Sequence, residues 1–146
     1  MRTSSLCAFA LEALVLFFLS FYAYTAFSKF WDYRLFLVLA RFQPGVGAIP
    51  MFLKIVFPLA EISLAILLLF SHLRKPVFYI IIISLSIILC YRLFLLVKGV
   101  HLPCVCGPLF RGLSEFQHLL FNAVLLVLAL GAILLIRSSV TKSPRI

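Results

Sequence analysis

Four runs of about twenty mostly apolar residues dominate the chain: Leu6 to Phe27, Pro50 to Phe70, Val77 to Val97 and Phe116 to Ile136. A helix rising 1.5 Å per residue needs about 20 such residues to cross the roughly 30 Å hydrocarbon core of a bilayer. The third run contains Ile80-Ile81-Ile82-Ile83. A helix apolar on every face has no solvated side to offer, so a soluble fold is excluded. The expectation is an all-α integral membrane protein, residues 1–146 forming one four-transmembrane-helix bundle. Composition agrees: 12% of residues are charged, against about a quarter in soluble domains. The first run follows Arg2 but is too long for a signal-peptide core and closes on no small-x-small site, so a retained anchor is expected.

The links sort by length and character. Ser71-His72-Leu73-Arg74-Lys75-Pro76 is a tight turn that makes spans two and three antiparallel neighbours. Between Lys29 and Ile49 the aromatic and leucine spacing predicts a short amphipathic helix in the interface, ended by Pro44-Gly45. Trp31 and Tyr33 suit headgroup depth there. Ser114-Glu115-Phe116-Gln117 reads as a capping box opening the fourth helix. Glu115, His118 and Asn122 follow on one face of it.

The net charge of +9 does not point to nucleic acid, because the basic residues mostly stand where apolar runs end. With four spans, Arg2, Arg74, Lys75, Arg137, Lys142 and Arg145 share one side without an acid. Lys29, Arg34, Arg41, Lys98 and Arg111 share the other, diluted by Asp32 and Glu115. The positive-inside rule then favours cytoplasmic termini in an inner (cytoplasmic) membrane, with the link between spans three and four in the periplasm.

That link holds the residues best suited to covalent chemistry, His101-Leu102-Pro103-Cys104-Val105-Cys106-Gly107-Pro108. Two residues of extended chain span about 7 Å, at the limit for bridged Cα atoms, so a Cys104–Cys106 disulfide would be strained. Strained, exposed disulfides are the exchange-active kind. Three readings compete at this pair. It exchanges disulfides; or it binds a soft ion such as copper or zinc with His101 or His118; or the two are ordinary loop thiols or a permanent structural disulfide, in a subunit whose spans serve to hold a larger membrane complex together. Cys7, at the opposite membrane face, and Cys90, inside the third span, weigh less, since buried free cysteines usually behave as small hydrophobes, though Cys90 could act as a resolving thiol.

His118 is a candidate to take up a thiol proton, with a capping or interfacial role as its bland alternative. Glu61 and Arg92 stand inside spans, where ionisable residues are costly and count as functional candidates. They are expected to pair across the bundle, as a structural ion pair, a proton relay or the lining of a quinone pocket. Glu12 is expected to reach the headgroups, and Lys54 to snorkel. No dinucleotide or haem motif appears.

Tyr24-Thr25-Ala26-Phe27-Ser28-Lys29-Phe30 with Asp32, then Pro58-Leu59-Ala60-Glu61, Tyr91, Pro103-Cys104-Val105-Cys106-Gly107, His118-Leu119 and Asn122 together resemble the MauE branch of the DoxX-like membrane proteins. The resemblance covers about Phe18 to Ile136. It implies a four-helix membrane bundle working beside thioredoxin-like proteins in making or rearranging disulfides outside the cytoplasm. The motif positions fall here on Cys104, Cys106, Glu61 and His118. Relatives commonly have Cys-x-Cys-Gly-Gly or Cys-x-Cys-Phe-Gly, where this chain has Pro108 after Gly107. They also commonly have Trp where Phe116 stands. Pro108 stiffens the link and argues against a large swing of the dithiol. The expected function is thiol–disulfide exchange with a thioredoxin-like periplasmic partner, with a membrane quinone or second dithiol to regenerate the pair.

Overall fold

The computed structural model describes residues 2–42, 45, 51–99, 112 and 114–141, with side chains placed except at 2–4, 51–54 and 139–141. The described residues are helical throughout, apart from turns and the helix-flanking Ser114. They form α1 (Arg2–Trp31), α2 (Tyr33–Phe42), α3 (Met51–Leu68), a 3-10 turn (Ser71–Leu73), α4 (Arg74–Val97) and α5 (Glu115–Thr141). Three helical stretches are long and apolar enough to cross a membrane: Ser5–Trp31, Ser71–Val97 and Glu115–Ser138. A shorter apolar helix covers Ile55–Leu68.

Helix ends follow local chemistry. α1 runs on past Phe27 to Trp31, so Lys29, which the hydropathy pattern assigns to the link, belongs to the helix instead. Asp32 alone separates α1 from α2, and the helical hydrogen bonding nearly continues through it: Asp32 N donates to Ser28 O at 3.2 Å, and Phe36 N to Asp32 O at 3.0 Å. The expected amphipathic helix is α2, which buries Phe36 and Ala40. Pro58 sits inside α3 and is fully buried, a position membrane helices tolerate when neighbours cover the gap. α4 starts at Arg74, ahead of the expected Val77. It ends where Gly99 turns to φ +67°, the left-handed conformation that closes many helices. Ser114 and Gln117 form the expected capping box: Ser114 N donates to Gln117 Oε1 at 2.8 Å, and Gln117 N to Ser114 Oγ at 3.3 Å.

α1 packs chiefly on α3 and α5, α4 chiefly on α5, and α3 and α4 touch less. The centre is apolar: Phe18, Leu68, Phe78, Ile81, Ala129 and Ala132 have no measurable exposure. Phe18 and Phe78 meet edge to face, ring centroids 5.5 Å apart. Lipid tails are as apolar as these side chains, so close packing rather than water exclusion holds the helices together. Leu16, Ile83, Ile87, Val127 and Leu134 face outward, as a lipid-facing surface requires.

A candidate polar site between the helices

Three helices each bring polar side chains to the end of the bundle where α1 and α4 finish and α5 begins, and α3 adds one from its middle. On α1, Tyr22, Thr25 and Lys29 recur at i, i+3 and i+7, one face of a helix. Thr25 Oγ1 on this face donates to Tyr22 O at 3.1 Å, and Ser28 Oγ beside it donates to Thr25 O at 2.9 Å. α3 supplies Glu61, three residues after Pro58. α4 supplies Arg92. α5 supplies Glu115, His118 and Asn122, which share the face predicted for them.

These groups are paired across helices. Lys29 Nζ donates to Glu61 Oε1, with the Lys29 side chain only 10% exposed. Arg92 Nη1 donates to Glu115 Oε2 at 3.3 Å, tying the last turns of α4 to the first residue of α5. Asn122 Nδ2 donates to Leu85 O at 3.3 Å. His118 is buried. Glu61 Oε2 is also buried and has no hydrogen-bond partner among the described residues.

Tyr22, Thr25, Lys29, Glu61, Arg92, His118 and Asn122 together line a cavity of about 100 Å³, with Glu115 outside it. Phe21, Leu85, Phe121 and Leu125 complete its walls, and Phe21 and Phe121 lie 5.8 Å apart. Ile88, half exposed, lines it where it reaches the surface.

Glu61, Arg92 and His118 are thus brought together, but the expected Glu61–Arg92 pair is not formed. Each has another partner, because α1 packs beside α3 and puts Lys29 next to Glu61, while Arg92 meets Glu115 instead. Lys29 is the residue that sequence reasoning missed as a member of the site. Its signal was present in the helical register with Tyr22 and Thr25, but its place at the end of an apolar run resembled an ordinary flanking charge. Glu12, expected at the headgroups, bonds through both its oxygens to Arg74, at 2.5 and 3.2 Å. Cys90 is exposed and lies outside the cavity lining, so it does not join this cluster. Cys104, Cys106, His101 and Lys54 carried expectations of their own. The first three lie outside the described residues, as does the Lys54 side chain. Among the described residues, no three His, Cys, Asp or Glu side chains gather as a metal site.

The sequence model of the family described as methylamine utilisation protein MauE matches residues 7–135, nearly the whole chain. No curated protein and no solved structure gives a match.

Proposed function

The chain belongs to the MauE family, and from that premise we propose that it is a membrane thiol–disulfide redox protein working through Cys104 and Cys106. It is a membrane protein with at least three helices able to span. In this reading α3 is the fourth span: its 18 residues reach about 27 Å, close to the hydrocarbon thickness, and it packs along α1. One cysteine, as thiolate, attacks the disulfide of a thioredoxin-like partner, and the other resolves the mixed disulfide. His118 takes up the thiol proton.

One observation carries this reading. The buried polar cluster lies at the end of the bundle from which the Cys-x-Cys link departs, since both its anchors, Gly99 and Ser114, stand there. Cys104 is five residues from Gly99, a reach of at most about 18 Å in extended chain. Pairing takes one cation from each side, Lys29 to Glu61 and Arg74 to Glu12, so the orientation rests on the density of basic residues in the short terminal-side segments, which supports a cytoplasmic terminal side and a periplasmic link in the inner membrane.

The test is to replace Cys104 and Cys106 singly with Ser and recover trapped complexes under non-reducing conditions. One variant is expected to hold a thioredoxin-fold protein by a mixed disulfide that reductant releases. Capture of nothing by either variant, with the protein present in the membrane, would sink the exchange mechanism.

A further inference from the structure

Two hollows in the bundle differ in what they can hold. Sites for organic ligands usually run to about 300–1,000 Å³, several times the 100 Å³ of the polar chamber. A substituted quinone ring is therefore a poor fit there. A furrow of about 620 Å³, where α1 and α3 meet the outer surface, falls within that range.

The furrow follows from the residues. On α1, Leu19, Ala23 and Phe27 recur every fourth position, one above another on one face. The small Ala23 between two large side chains leaves a gap, which Ile62 and Ile66 of α3 wall on the far side. From Leu19 to Phe30 the furrow follows α1 for about 16 Å. Half of the hydrocarbon core is about 15 Å, so the furrow is as long as one leaflet is deep. A transmembrane helix is a poor occupant. It would cross the whole core, and close helix contacts favour small residues repeated along the stripe, where this stripe has Ala23 alone. A single lipid chain matches both the length and the apolar lining.

Cations stand at the open end. Trp31, just past Phe30, is 82% exposed, as suits an aromatic at headgroup depth. One helical hydrogen bond enters Asp32 and another leaves it, so Arg34 follows Phe30 by about one turn. Arg34, Val38 and Arg41 are exposed at i, i+4 and i+7, on the side of α2 opposite its buried Phe36 and Ala40. Lys29 and Arg92 are committed to Glu61 and Glu115, whereas neither Arg34 nor Arg41 joins a salt bridge among the described residues. A guanidinium offers paired N–H donors that match the oxygens of a phosphate.

We propose that the α1–α3 furrow and the arginine face of α2 form a binding site for one anionic phospholipid. An acyl chain lies along the furrow from Phe30 toward Leu19, Arg34 holds the phosphate, and Arg41 adds to the attraction for negative charge. The site is built from α1, α2 and α3 and is independent of the thiols.

The test is native mass spectrometry of the purified full chain, released from detergent after titration with phosphatidylglycerol or with phosphatidylcholine of the same acyl chains. The parent is expected to retain one phosphatidylglycerol, in roughly tenfold preference to phosphatidylcholine, as two surface arginines would give. Arg34→Gln combined with Arg41→Gln should erase that preference. Ala23→Trp fills the furrow from its exposed side, away from the core, and should lower retention of both lipids. Val127→Trp adds similar bulk on another outward surface and should bind as the parent does. Equal retention of the two lipids by the parent overturns the proposal at the headgroup. Unchanged retention in Ala23→Trp overturns it at the furrow. Lipid-free dimers that Ala23→Trp separates would give the furrow to a second copy of the chain and overturn it as well.

Discussion

The two ends of the bundle both join helices through carboxylates and cations, yet they differ in how far those charges are withdrawn from solvent. At the terminal end Arg74 grips Glu12 with two hydrogen bonds, and the Glu12 side chain is 55% exposed. Arg137 donates to the Tyr79 hydroxyl nearby at 2.7 Å. At the other end the carboxylates are more enclosed, Glu61 at 22% and Glu115 at 26%, while the cations differ less between the ends, Lys29 at 10% and Arg92 at 12% against Arg74 at 18%. An exposed pair ties two helices together at little net gain, because water serves the separated charges nearly as well. A buried pair commits both partners, since removing one strands the other in a medium that cannot solvate it. The polar end is thus maintained at a stability risk that the terminal end does not run.

Three substitutions test that contrast in unfolding experiments on detergent-solubilised protein titrated with SDS. Glu61→Leu alone should be the most damaging, losing about 3–5 kcal/mol by stranding Lys29, and adding Lys29→Met should restore most of it. Equal stability of the single and double variants would break the contrast outright. Arg92→Leu should cost roughly 2 kcal/mol, because Glu115 keeps partial access to solvent and the amino end of α5. Glu12→Gln should change stability by no more than about 1 kcal/mol. A larger loss would mean that the terminal pair is enclosed by something beyond the chain itself, and would sharpen the comparison from the opposite side.

Much of this architecture was legible in the residues. Ile80 to Ile83 identify a lipid-embedded helix, the Ser114/Gln117 reciprocal cap fixes the start of α5, and the register of Glu115, His118 and Asn122 points them together. These depend on near neighbours in the chain, where periodicity is informative. The choice of partners was not legible. Glu61 could meet Arg92 or Lys29 depending on which helices lie side by side, and uniformly apolar helices carry little rotational signal to decide it. Lys29 was hidden for a related reason. A cation at the edge of an apolar run looks the same whether it reaches outward to headgroups or inward to a carboxylate 32 positions away.

The strongest helix contacts lie within two successive pairs, α1 with α3 and α4 with α5, joined across the bundle mainly by α1 against α5. The molecule is in effect two hairpins laid together, hinged at the Ser71–Leu73 turn. Lys29 and Glu61 both belong to the first hairpin; Arg92, Glu115, His118 and Asn122 all belong to the second. Neither ion pair of the polar end crosses the seam; the one that does, Arg74 with Glu12, stands at the opposite end beside that turn. The chamber is thus walled from both halves at the end where no described salt bridge joins them, and side-chain packing keeps its two walls in register.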